Sequence, residues 1–125
     1  MSDLVQNAER DFWTPPVAPP PITVEAAVPV TRFPPAVEAA AYFVCAESLT
    51  NIAKHAEASR VHISITQAYG RLRVAVSDDG VGGADPSRSS GLRGLRDRVE
   101  ALGGSLVVES PLGGGTQVLA ELPCG

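Results

Sequence analysis

Three polar clusters in this sequence have residue types and spacings suited to chemistry. In Ser77-Asp78-Asp79-Gly80-Val81-Gly82-Gly83 an acidic pair closes an alternating apolar run and is followed by glycine-rich backbone. That arrangement offers a carboxylate and bare amides to a small polar ligand. Glu47, Asn51, Lys54 and His55 follow one another at intervals of four, three and one. On a helix, Glu47, Asn51 and Lys54 or His55 fall along one flank, where a carboxylate and an amide one turn apart can hold a hard cation and the carboxylate can orient a nucleophile. The same set also reads as a solvated helix face with an intrahelical Glu–Lys pair. The third cluster places Arg88, Arg93, Arg96 and Arg98 around Gly91 and Gly94 in a stretch rich in glycine and serine. A helix beginning there brings backbone amides to an anion, with arginine at hand to bind phosphate in a bidentate fashion. Neither G-x-x-x-x-G-K-[ST] nor a strand-linked G-x-G-x-x-G occurs, so the P-loop and Rossmann solutions are excluded. Together the clusters point to a nucleotide site of another kind.

The punctuation residues define the elements that must carry these clusters. Eight of the eleven prolines lie at or before Pro35, and all twelve glycines lie at or after Gly70. Residues 1–21, with Trp13 and the runs Pro15-Pro16 and Pro19-Pro20-Pro21, read as an extended Pro-rich linker, or else a docking motif that uses the tryptophan. Residues 22–125 read as one domain. Ile22 to Ala26 alternates as a strand, and Pro34-Pro35 then sets up a helix from Ala36 to about Ala56. Val37, Ala40, Ala41, Val44, Cys45, Leu49 and Ile52 form its buried face. Arg60 to Ala68 and Arg71 to Ser77 read as a hairpin turned at Tyr69-Gly70. Leu92, Leu95, Val99 and Leu102 mark a second helix, stopped by Gly103-Gly104, and Ser105 to Ser110 with Thr116 to Leu122 make a second hairpin. The expected fold is α+β: a two-layer sandwich with a mixed sheet of about five strands and its helices on one face.

Strand parity then orients the polar residues. Asp78 is in phase with Leu72, Val74 and Val76 and faces the layer between sheet and helices. A buried carboxylate there needs a hydrogen-bond partner from protein, water or ligand. A strand-end aspartate capping the following loop is an equal reading of the local sequence. Asp79 is out of phase and reads as a solvated turn residue. Thr116 is in phase with Val118, Ala120 and Leu122 and faces the same layer as Asp78, whereas His62 falls on the outer sheet face.

Composition bounds the function. A chain of 125 residues with 44% hydrophobic content supports a single core, and a formal charge of −4 gives no positive field for nucleic acid or an anionic membrane surface. Cys45 and Cys124 form no framework or metal spacing, and no signal peptide or membrane-length apolar run is present, so a cytoplasmic setting is expected.

In order along the chain, Glu47-Ser48-Leu49-Thr50-Asn51-Ile52-Ala53-Lys54-His55-Ala56, Ser77-Asp78-Asp79-Gly80-Val81-Gly82, the segment from Gly91 to Gly104, and Gly114-Gly115-Thr116 resemble the N box, the two glycine boxes and the terminal Gly-Thr element of the histidine-kinase-like (GHKL, Bergerat) ATPase family. Within it the likeness is to the catalytic domains of sensor kinases of the nitrate-sensor and DesK type, and it covers residues 22–122. The resemblance implies ATP and Mg²⁺ as cofactors. It implies that Asp78 accepts from the adenine amino group, that Asn51 holds Mg²⁺, and that Glu47 positions the reacting group as the catalytic residue. Gly80 and Gly82 would let the chain pass close to the base. Gly91 and Gly94 would shape the lid over the phosphates, with Leu92 and Leu95 beside them in the cofactor-binding segment, Lys54 and Arg96 as phosphate contacts, and Thr116 supporting Asp78 and its associated water.

Sensor kinases of this type carry the phospho-accepting histidine on an upstream helical domain, and here only His55 and His62 occur. The expected partners are therefore ATP, an acceptor-histidine domain of the same or another protein, and a downstream response regulator. The lid, Gly83 to Ser90, is short and has Ser89-Ser90 where related kinases often have a histidine, which implies loose closure without a partner. Two further functions fit the same boxes: a stand-alone serine kinase of the anti-sigma-factor type, and a module that binds ATP without transferring it.

Overall fold

A computed structural model describes residues 23–27, 32–56, 58–84 and 90–124. The Pro-rich segment 1–21, Ile22, and Arg88 and Ser89 of the lid lie outside the described residues. In chain order the elements are β1 (Thr23–Ala27), α1 (Pro35–Asn51), a π-helical turn (Ile52–Ala56), β2 (Arg60–Ala68), β3 (Arg71–Asp78), α2 (Ser90–Ala101), β4 (Ser105–Glu109) and β5 (Thr116–Pro123). The strands form one sheet in the order β1-β2-β3-β5-β4, with β1 parallel to β2 and every other pair antiparallel. It is the mixed five-stranded sheet expected from the sequence.

Alternation puts Val61, Ile63 and Ile65 of β2, Leu72, Val74 and Val76 of β3, and Val118, Ala120 and Leu122 of β5 on one face, where all are buried. They join Val37, Ala40, Ala41, Val44, Cys45 and Leu49 of α1 and Leu95 and Val99 of α2 in a single core. Both helices therefore cover the same side of the sheet, and the molecule has two layers.

The turns follow their residues. Tyr69 and Gly70 both have positive φ, +54° and +72°, as a two-residue turn of this hand requires. After α2, Gly103 sits at φ +80°, and the Gly103 and Gly104 N–H groups donate back to the carbonyls of Glu100 and Val99, which ends the helix in a Schellman motif.

Two features depart from the periodicity reading. The first long helix is α-helical only to Asn51 and finishes in the π turn, so the regular α spacing behind the Asn51–Lys54 row does not continue past Asn51. The start of α1 has no side-chain N-cap. Instead the buried Glu38 accepts the Phe33 N–H at 3.1 Å and two bonds from Arg32, at 3.0 and 2.8 Å. The Phe33 amide first, and then Arg32, hold this carboxyl below its ordinary range. The charge also lies at the favourable end of the helix dipole.

Candidate functional site

Asp78 ends β3 between Val61 of β2 and Thr116 of β5. Its two carboxylate oxygens have different surroundings. Oδ1 accepts the Gly80 N–H at 2.8 Å, closing an Asx-type turn. Oδ2 is buried and has no hydrogen-bond partner. Burial pushes the Asp78 carboxyl above its ordinary value, against the lowering effect of the Gly80 and Thr116 amides. An orphaned carboxylate oxygen is costly and rare, and it marks a place for a ligand N–H. The loop-capping reading of Asp78 is thus seen on Oδ1, while Oδ2 is left without the partner a buried carboxylate needs.

Asp79 is exposed but is more than a solvated turn residue. Oδ1 accepts the Ser59 and Arg60 N–H groups at 2.8 and 2.9 Å, and Oδ2 accepts the Ser59 hydroxyl at 2.7 Å. These bonds lower its pKa to about 2. Asp79 ties the entry of β2 to the exit of β3, a role that became legible only once the register brought residues 20 positions apart together.

The chain from Val81 to Ala84 lies against the β4–β5 turn. Gly113 donates to the Val81 carbonyl at 2.6 Å and Gly83 donates to the Ser110 carbonyl at 2.8 Å. Gly82 has φ +71°, and a Cβ there would overlap the Pro111 carbonyl. The hydroxyl of Thr116, expected to support Asp78, shares a 2.6 Å hydrogen bond with Ser110 Oγ. Ser110 is the site residue that sequence reasoning missed; its only signal was its position at the end of a strand facing a glycine-rich turn.

The second and third clusters meet between α1 and α2. Glu47 is part-buried, and its carboxylate lies against the first turn of α2, where a Cβ on Gly91 would overlap Oε1. Asn51 is part-buried at the last α-helical position, and Lys54 is exposed in the π turn. Leu92 and Leu95 point into the interior and Arg96 is half-buried, whereas Arg93 is exposed. Gly94 is exposed within α2, with no atom within 4 Å of where its Cβ would be. Arg98 stacks its guanidinium over the Phe43 ring of α1, 4.1 Å from the centroid, and braces the two helices. The Ser48 hydroxyl, next to Glu47, is buried without a partner.

Among the described residues no three His, Cys, Asp or Glu side chains gather as a metal site, so a cation beside Asn51 would draw on phosphate and water as well. No described helix is long and apolar enough to cross a membrane.

Residues 36–125 match the family described as histidine kinase-, DNA gyrase B-, and HSP90-like ATPase. The signal transduction histidine-protein kinase/phosphatase DegS of Brevibacillus brevis is 36% identical over 95 residues, which cover 74% of this chain and 25% of that protein. Its counterpart UhpB of Salmonella typhimurium is 44% identical over 82 residues, 64% of this chain and 16% of that one. The chain thus spans about a quarter or less of the length of these relatives. Among solved structures, the histidine kinase domain of the Erythrobacter litoralis EL346 blue-light activated histidine kinase superposes with a TM-score of 0.79 at 25% identity, over 98% of this chain and 62% of that one. The ATP binding domain of PrrB from Mycobacterium tuberculosis shares the fold, with a TM-score of 0.70 at 22% identity over 98% and 93%.

Proposed function

Because the chain belongs to the histidine kinase-, DNA gyrase B-, and HSP90-like ATPase family, we propose that it is the ATP-binding catalytic domain of a two-component sensor histidine kinase. In this role it transfers the γ-phosphoryl group of ATP to a histidine on a separate domain. Such transfer relies on positioning and charge neutralisation more than on covalent chemistry by the protein.

One observation carries the reading: Asp78 Oδ2 is a buried acceptor without a donor. The exocyclic amino group of adenine is a donor of the right kind, and guanine would present a carbonyl at the same place. Gly80 keeps the backbone next to Asp78 free of a side chain where the base would lie, and Gly82 lets the chain beyond it fit against the Pro111 carbonyl. Asn51 offers an amide oxygen for Mg²⁺, Glu47 offers a carboxylate to the reacting group, and Gly91 brings the first turn of α2 against that carboxylate. Arg96 and Lys54 are the cations available to the phosphates. Leu92 and Leu95 serve by fixing α2 to the core, and Gly94 leaves the outer side of that helix open. On this reading residues 22–125 are the catalytic domain, an acceptor-histidine domain and a response regulator are its partners, and the setting is cytoplasmic.

Calorimetric titration with ATP and Mg²⁺ tests the proposal. Asp78→Asn is expected to weaken ATP binding by about tenfold or more, the worth of a hydrogen bond to a charged group. Asn51→Ala is expected to lose chiefly the Mg²⁺ dependence. Equal ATP affinity in wild type and Asp78→Asn would overturn the site.

A further inference from the structure

We propose that Ser110 is a positioning residue for the nucleotide site, one that sets both the path of the Val81–Ala84 backbone and the proton on the Thr116 hydroxyl. The inference rests on the nucleotide reading above and adds to it a residue that touches no ligand.

Ser110 follows the last residue of β4 and engages three groups at once. Its carbonyl accepts the Gly83 N–H at 2.8 Å. Its Oγ accepts the Ala84 N–H at 2.8 Å and shares a 2.6 Å hydrogen bond with Thr116 Oγ1. Thr116 in turn is the β5 residue directly opposite Asp78. One hydroxyl therefore links the chain that leaves Asp78 to the strand that flanks it. Among the described residues the other hydrogen bonds between residues 81–84 and the turn at 110–113 are backbone to backbone, and Leu112 adds an apolar side-chain contact at Gly83, so Ser110 is the side chain whose hydrogen bond reaches this segment.

A proton inventory gives the link a direction. The Ala84 amide can only donate, so it occupies a lone pair on Ser110 Oγ. The serine proton is then free to point at Thr116 Oγ1. With Ser110 as donor, both of its bonds are made and Thr116 keeps its own O–H to donate. In the opposite order Thr116 spends its proton on Ser110, and the serine proton has no assigned acceptor. Without nucleotide each order leaves one hydroxyl proton over, since Asp78 Oδ2 takes neither. A bound base that presents an acceptor to Thr116 selects the order in which Ser110 donates, the one that satisfies every member. With such a base bound, Thr116 is a donor on the residue paired opposite Asp78 in the sheet, and a donor and an acceptor on paired residues complement the N1 and amino edge of adenine, directly or through water. The corresponding edge of guanine has the opposite polarity.

The test compares Ser110→Ala, Ser110→Thr and Asp78→Asn with wild type in the full 125-residue chain. Without nucleotide, loss of the bond in Ser110→Ala should speed amide hydrogen exchange at Ala84 by about tenfold, the worth of one net hydrogen bond. ATP affinity should fall by about three- to tenfold on the same scale, while the weak GTP affinity changes by less than about twofold. The ATP-to-GTP preference therefore narrows. Ser110→Thr keeps the hydroxyl and should restore both readouts. Unchanged exchange at Ala84, or equal weakening of ATP and GTP, would overturn the inference, since a purely structural serine moves both nucleotides alike. Loss of ATP binding in Asp78→Asn with wild-type behaviour in Ser110→Ala would overturn the Ser110 role alone. Unchanged ATP binding in both would overturn the site and this inference with it.

Discussion

The two oxygens of the Asp78 carboxylate are unequally satisfied, and the difference has a cost that pH exposes. Oδ1 is satisfied by Gly80, whereas Oδ2 is buried without a donor. Desolvation raises the native pKa above that of the unfolded chain, so the native state binds the proton more tightly. Stability contributed by this group is then complete below the ordinary aspartate pKa of about 3.9 and is lost as pH rises through the higher native value. At neutral pH the free domain holds a charge it would be more stable without. Asp78→Asn is expected to melt a few degrees above wild type at pH 8, with the difference shrinking toward zero as pH falls below about 4, in thermal scans without nucleotide. A wild type that is the more stable of the two at pH 8 would refute this. Asp79 behaves oppositely. Its pKa, lowered to about 2, marks stability present above the unfolded value and lost on acidification toward 2. The inward turn of Asp78 was legible from period-two alternation. The use of Asp79 was not, because its partners Ser59 and Arg60 come from another strand.

At the scale of elements, the glycines around α2 separate function from stability. At Gly91 the atom in the way of a Cβ is Glu47 Oε1, the far end of a flexible side chain. At Gly104, just beyond the helix, the obstacle is the Glu121 carbonyl of β5, with Val99 beside it. Backbone cannot step aside as a carboxylate can. Gly104→Ala is therefore expected to cost about 1–3 kcal/mol in denaturant unfolding, the usual range for overpacking, whereas Gly91→Ala should cost under about 1 kcal/mol and displace Glu47. Comparable destabilisation by the two would show that α2 cannot tolerate a shift of Glu47. Much of this layer was readable in advance. The apolar repeat of α1 and the Tyr69-Gly70 turn are local signals, and the structure has both where periodicity puts them. The π turn at Ile52–Ala56 carries no local signal in Ile-Ala-Lys-His-Ala, and so the α spacing assumed from Asn51 to Lys54 or His55 was not legible as a π turn. Glu38 escaped notice because its partners, Arg32 and Phe33, precede the helix across two prolines.

For the molecule as a whole, the sheet limits where the proposed phosphoryl transfer can go. His62 pairs with Ser77 across β2 and β3, one residue out of step with Asp78, so it belongs to the opposite face of the sheet. It is exposed there, with the sheet between it and the layer that Asp78 Oδ2 faces. A γ-phosphate held near Glu47 and Arg96, on the helical side, has no path to that imidazole within one molecule. Transfer to His62 would need a second copy to present its outer sheet face to the site of the first. On the proposed reading the domain serves an acceptor brought to the helical side of the sheet. With γ-labelled ATP and Mg²⁺, the chain alone should remain unlabelled. Label should appear on the histidine of an added helical acceptor domain taken from a kinase of the DegS or UhpB kind, and Glu47→Gln should abolish it while retaining ATP binding. Label on the chain alone that rises with the square of its concentration and vanishes in His62→Ala would show instead that the outer face of one copy is the substrate of another.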